Sequence, residues 1–214
     1  MCSWQGGDEV RIRRVGVTAL LLDCADEGEV EAWRTELWRL RGSGHVRAEE
    51  IVPGARTLLL DGVPDLEAAA QLIAGRAPRR PDGSVRGPLI EIPVVYSGED
   101  LPAVADLCGI TERGVINRLS RAELRVAFCG FAPGWAYLTG LPPELAVPRL
   151  DSPRTRVPAG SVALANGYAG IYPNSSPGGW RLVGHTDVRL FDVEREPPAL
   201  LAPGTRVRLV EASS

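Results

Sequence analysis

Between Leu124 and Glu211 six short runs, LRVAFCGF, GSVALAN, AGIYP, WRLVGHT, VRLFD and TRVRLVE, are separated by Gly- and Pro-rich breaks. Each has strand length and β-branched or aromatic content. Short strands joined by so many turns must stack as a sandwich or close into a barrel. Ahead of them, EDLPAVADLCG and TERGVINRLS read as two short helices, with Thr111 placed to cap the second.

The first eighty residues have a different texture. VGVTALLLD (15–23) is a strand-like run, and EGEVEAWRTELWRLR sets Val30, Trp33, Leu37 and Leu40 at the three- and four-residue steps of one helix face. Glu31, Arg34, Glu36, Arg39 and Arg41 fall on the solvated side. VRAEEIVPGARTLLLDG gives two strands around Pro53-Gly54, and VPDLEAAAQLIAGR a helix opening at Pro64 and ending at Gly75. The strand PLIEIPVVY (88–96) would complete a split β-α-β arrangement of about ninety residues. The linker RAPRRPDGSVRGP carries Arg76, Arg79, Arg80 and Arg86, read as a solvated connection that an acidic partner could also contact. The expected fold class is α+β: a small α/β domain over 1–87, then a β-barrel domain over 88–214.

Composition removes several functions. A net charge of −3 gives no electrostatic reason to expect nucleic acid. No apolar run reaches the ~18–20 residues of a membrane span, and MCSWQGGDEVRIRR is charged where a signal peptide is apolar, so no membrane and a cytoplasmic location are expected. Cys2, Cys24, Cys108 and Cys129 form no C-x-x-C pair, and Cys24 and Cys129 read as buried thiols. All 24 basic residues are Arg. Without lysine there is no Walker-type nucleotide loop and no Schiff base, so an anion must be held by guanidinium groups and backbone N–H groups.

Three segments carry candidate chemistry. CGFAPGWAYLTGLPPELAVPR ends a strand in an aromatic, Pro-broken loop. In SPRTRVPAGSVALA, Arg154 and Arg156 are two residues apart and point the same way if extended, able to grip a carboxylate or phosphate. In AGIYPNSSPGGWRLVGHT, Tyr172, Ser175 and Ser176 precede the Gly178-Gly179 pair, which permits close ligand approach. Trp180 and His185 then fall on opposite strand faces unless a bulge intervenes. Trp180 reads as core or pocket lining, and His185 as either a structural histidine or an acid/base. With only His45 as a second imidazole, no metal site is expected. A Ser-His-Asp triad drawn from Ser161 or Ser176, His185, and Asp187 or Asp192 lacks the G-x-S-x-G elbow.

Together, FCGFAPGWAYL, PRTRVPAGSVALA, GIYP, SPGGWRLVGHT and LLAPGTRVRL resemble the bacterial 5-oxoprolinase B-subunit family, which includes the sporulation kinase A inhibitor and allophanate hydrolase subunit-one-like proteins. EIVPGARTLLL and IPVVYSGEDLPAVADLCGIT extend the resemblance toward the amino terminus. The resemblance implies a cyclophilin-like barrel and a complex with the 5-oxoprolinase C- and A-subunits that opens 5-oxo-L-proline to L-glutamate with ATP. The chain would supply part of a composite site, with ATP used by the complex and no nucleotide loop here. Arg154 and Arg156 would meet the carboxylate or a phosphorylated intermediate. Ser161, Tyr172, Ser176 and the Gly178-Gly179 backbone would add hydrogen bonds, Phe131, Trp135 and Trp180 would wall the pocket, and His185 would serve as acid or base. The family also leaves open a histidine-kinase inhibitor and a subunit acting on urea-like amides. Many members have His at the position of Leu119, Arg at that of His185, Phe at that of Trp135 and Thr at that of Ala169.

Overall fold

The computed structural model describes residues 10–80 and 87–212, and its contacts divide the chain into two compact units, Met1–Arg86 and Gly87–Ser214. In the first, β1 (Arg11–Val15), β2 (Ala19–Asp23), β3 (Glu50–Pro53) and β4 (Thr57–Asp61) form an antiparallel sheet in the order β1-β2-β4-β3. Helices α1 (Glu27–Gly42) and α2 (Leu66–Ala74) cover its apolar face. Leu20, Leu22, Leu58 and Leu60 are fully buried, at the alternate positions a one-sided sheet requires. Val30, Trp33, Leu37 and Leu40 of α1 are buried as their spacing predicts. Asp26 caps that helix by accepting from the Glu29 N–H.

Three sequence expectations change here. The 15–23 run is a strand only from Ala19 on, because Gly16 adopts φ +63° in the turn that reverses the chain between β1 and β2. The cap of α2 is Asp65, which accepts from Ala68, so Pro64 stands outside the helix. The 88–96 strand does not join this sheet. As β5 (Leu89–Val94) it lies parallel to β13 (Arg206–Glu211) in the second unit, where Ile92 and Val94 are fully buried. In the linker, Arg76 bonds Glu36 and Arg80 bonds Asp26 through two nitrogens, while Arg86 lies outside the described residues.

The second unit opens with β5, then α3 (Leu101–Cys108) and α4 (Glu112–Arg121), the latter capped by Thr111 accepting from Gly114. Next come β6 (Leu124–Cys129), β7 (Ala136–Thr139), a 3₁₀ turn at Pro143–Leu145, β8 (Arg154–Val157), β9 (Ser161–Ala165), β10 (Tyr168–Ile171), β11 (Ser176–Gly178), β12 (Arg181–His185) and β13. Seven strands run β12-β9-β10-β7-β6-β13-β5. Paired backbone bonds between Val95 and His185, at 2.8 and 2.9 Å, join the two ends of that order and close the sheet into a barrel. The α+β class with a barrel sheet is thus realised.

VRLFD forms no strand. The Arg195 guanidinium takes the carbonyls of Arg189 and Leu190, Arg189 pairs with Asp192, and only a single bridge remains at Phe191. Cys24 is buried and its thiol is pushed up to about 12, with desolvation the first cause; burial also raises half-buried Cys129, and Cys2 lies outside the described residues. Among the described residues no helix is long and apolar enough to cross a membrane.

What positions the candidate site is the double burial of β9. Val162 and Leu164 join the main core with the inner faces of the other barrel strands. Ala163 and Ala165 face the other way, into a second cluster of Trp135, Val157, Tyr172, Trp180 and Leu182. The β8–β11 ribbon contributes Val157 to this outer aromatic layer.

Candidate functional site

A row of three side chains crosses adjacent strands at one end of that outer face. Ile171 of β10 pairs with Val162 of β9, so the next residues, Tyr172 and Ser161, stand opposite each other, tied by Tyr172 N–H to Ser161 O at 3.0 Å. Ser161 in turn pairs with His185 of β12. Cross-strand partners share a face, so Tyr172, Ser161 and His185 line up over two strand spacings, roughly 10 Å. A bulge makes this possible. Between the pairs Leu182–Ala163 and Gly184–Val162, β12 carries one extra residue, Val183, which turns into the main core. Trp180 and His185 therefore lie on the same side, not on opposite faces.

His185 is half exposed, and its Nε2 lies 2.9 Å from Asp187 Oδ1. The other edge of the ring rests on Gly160, at φ +80°, where a Cβ would stand 2.6 Å from His185 Cε1. Of the four candidate triad partners of His185, only Ser161 lies across from the imidazole and only Asp187 bonds it. Ser176 belongs to the ribbon and Asp192 pairs with Arg189.

Tyr172, Trp135 and Trp180 are nearly inaccessible and meet edge to face, with Trp135 4.7 Å from Tyr172 and 5.1 Å from Trp180 by ring centroid. Gly170 admits the two indoles, since a Cβ there would lie 2.8 Å from Trp135 Cζ2. Burial raises the Tyr172 phenol above its ordinary value, opposed by a backbone hydrogen bond at Trp180 and the charges of Arg149 and Arg154. Phe131 sits at the rim, two-thirds exposed, with its edge toward Trp135. Its φ of +67° is strained for a bulky residue, costing on the order of 1–3 kcal/mol.

The arginine pair needs correction. Arg154 does not stand free beside Arg156: its Nε lies 2.6 Å from Glu99 and its Nη2 2.8 Å from Asp100. Asp100 is buried and also accepts from the Leu182 N–H at 2.6 Å, so one carboxylate ties the start of α3 to β12 and to the ribbon. Burial works against the Arg154 charge, but Asp100 and Glu99 outweigh it and hold its pKa above the usual value. Arg156 is exposed and donates to Ser175 Oγ. The two part because the ribbon's register shifts between Ser176–Val157 and Gly178–Arg154, breaking the alternation that would align them.

Arg149 was not anticipated from the sequence. A Cβ on Gly179 would lie 3.6 Å from its Nη2, and its charge reaches the Tyr172 hydroxyl. No spacing marks it. Only Leu150 N–H bonding to Gly179 O folds its segment onto the glycine pair. Leu119 is fully buried in the main core and Ala169 in β10, so neither lines this face. Two clefts of about 460 Å³ lie in the first unit, one beside Arg41 and Arg47 and one beside Glu36 and Arg79. Neither touches a candidate residue, so the site rests on its donor groups rather than on those concavities.

The barrel thus carries an outer aromatic layer with an imidazole, a phenol and guanidinium groups at one end. The family model for the carboxyltransferase domain, subdomain C and D, matches residues 10–201, and the chain belongs to that family. The 5-oxoprolinase B-subunit of Escherichia coli O157:H7 is 50% identical over 124 residues, covering 56% of this chain and 57% of that protein. The matched stretch thus spans little more than half of that relative. The solved structure of TTHA0988 superposes with a TM-score of 0.74 at 33% identity, covering 95% of this chain and 40% of its own. The Kluyveromyces lactis urea carboxylase shares the fold, with a TM-score of 0.72 at 18% identity over all of this chain and 23% of its own.

Proposed function

We propose that the chain is the B-subunit of a 5-oxoprolinase-type complex, supplying part of a composite site for the ATP-dependent opening of 5-oxo-L-proline to L-glutamate. The observation that carries this reading is the 50% identity to the Escherichia coli 5-oxoprolinase B-subunit. The row of Tyr172, Ser161 and His185, with the Arg149 charge reaching the Tyr172 hydroxyl, supports it. A lactam resists hydrolysis because its nitrogen is a poor leaving group and its carbonyl a weak electrophile. ATP, held elsewhere in the complex with the C- and A-subunits, provides the phosphoryl group that activates the carbonyl oxygen. What falls to this chain is binding, orientation and a proton. His185, steadied by Asp187, serves as acid or base. Arg156, Ser161, Ser176 and the Gly178-Gly179 backbone add polar contacts, and Phe131, Trp135 and Trp180 form the wall.

The test is reconstitution. The chain alone releases no glutamate, and mixing with the C- and A-subunits gives ATP-dependent release. In that complex His185→Gln lowers kcat at least ~10²-fold, the range of a general acid or base. An assembled complex that turns over no lactam, while the chain lowers the autophosphorylation of a histidine kinase or supports turnover of a urea-like amide, would replace this reading with one of those two.

A further inference from the structure

Several polar atoms around Tyr172 are buried without a partner. The Tyr172 hydroxyl presses on the Gly178 backbone, where any Cβ would collide with it, and takes a backbone hydrogen bond at Trp180. Two residues earlier on β11, on the same face, Ser176 Oγ is buried without a partner. Across the ribbon from Gly178 is Arg154, with Nε and Nη2 bound by carboxylates and Nη1 buried and unpartnered. Trp135, packed on the Tyr172 ring, has its Nε1 buried without an acceptor. At Gly179 the Arg149 guanidinium approaches, and it makes no hydrogen bond or ion pair among the described residues.

Guanidinium and indole N–H groups offer one another no lone pairs, and Trp135 Nε1 and Arg154 Nη1 are met by neither hydroxyl. Buried polar atoms in folded proteins nearly always find partners. The group that completes the set therefore brings acceptor oxygens and a negative charge to answer Arg149. A monoanionic carboxylate suits this place better than phosphate, because Asp100 and Glu99 stand close behind Arg154 and repel a second negative charge.

We infer that Arg149 and the Tyr172 hydroxyl, at the Gly178-Gly179 turn, form the subsite for the carboxylate of a small amide ligand. This rests on the reading of the chain as a lactam-handling subunit, and moves the anion contact from the Arg154–Arg156 pair to Arg149. The test is calorimetric titration of the chain alone, which needs no partner subunit. 5-Oxo-L-proline is expected to bind, and 2-pyrrolidinone, the same ring without the carboxylate, at least ~10-fold more weakly, as is inorganic phosphate. Arg149→Gln and Tyr172→Phe each weaken 5-oxo-L-proline by about 10-fold, whereas Arg11→Gln in the first unit leaves it unchanged. Tyr172→Phe keeps the ring and its packing, so its effect reports the hydroxyl. Equal binding of the two lactams, tighter binding of phosphate, wild-type affinity in both variants, or no binding at millimolar concentration would overturn the subsite. Such a failure beside intact turnover by the complex sinks the subsite alone; intact binding beside absent turnover sinks the proposed reaction.

Discussion

The first unit's sheet and the outer face of β9, β10 and β12 are both antiparallel surfaces with buried alternate residues, yet they treat polar groups differently. In the first unit arginines meet acids directly: Arg13 with Asp23, Arg34 with Glu31, Arg39 with Glu36, Arg80 with Asp26. Most of its named charges are answered locally, the Arg13 and Arg80 pairs in solvent and the Arg34 pair partly buried, although Trp33 Nε1 and Arg76 Nε are buried without a partner. On the outer face of the barrel a carboxylate is buried, several donors lack acceptors, and an unpaired arginine stands at the rim. The difference teaches where binding can be sought: a surface that has answered its own charges has little left for a ligand.

The largest expected effect breaks the comparison at its buried pair. Asp100→Ala leaves Arg154 and the Leu182 N–H without their shared acceptor, and chemical denaturation is expected to show a loss of about 3–5 kcal/mol. Trp135→Ala removes the ring at the centre of the aromatic layer and is expected to cost a similar ~3–5 kcal/mol, measured the same way. In the first unit, loss of the α2 cap by Asp65→Ala costs about 1 kcal/mol. Removing the exposed Arg13 partner of Asp23 barely moves the melting midpoint.

A pH profile sharpens the contrast from the first unit's side. The Cys24 thiol, raised to about 12 when folded, stays protonated in the native state while the unfolded thiol ionises near its ordinary value of 9.0. Its contribution is fully present below that unfolded value and is lost as pH rises toward the folded one. Melting curves between about pH 8 and pH 11 are expected to fall more steeply for the wild type than for Cys24→Ala. Parallel curves would remove the buried-thiol account.

Much of the fold is written in local patterns. The α1 face, the Thr111 cap and the strands at 124–129, 161–165 and 206–211 follow from spacing and residue type alone, because each is decided within a few residues. The assignment of β5 is not local: its partner β13 lies more than a hundred residues away, and nothing in PLIEIPVVY names it. The candidate site was legible in its residue types and not in its pairing. The bulge at Val183 and the ribbon's register shift each add one residue to an otherwise regular alternation, and each reverses an orientation that strict alternation would assign. Arg149 escaped for the same reason, since its place is set by a loop folding onto Gly179.

The most direct measurement is the dependence of rate on 5-oxo-L-proline in the complex reconstituted with the C- and A-subunits, comparing wild type with Arg149→Gln. A guanidinium that holds the substrate's carboxylate equally in ground and transition states predicts a KM raised about 10-fold with kcat little changed. An unaltered KM in a fully assembled, active complex would contradict the account.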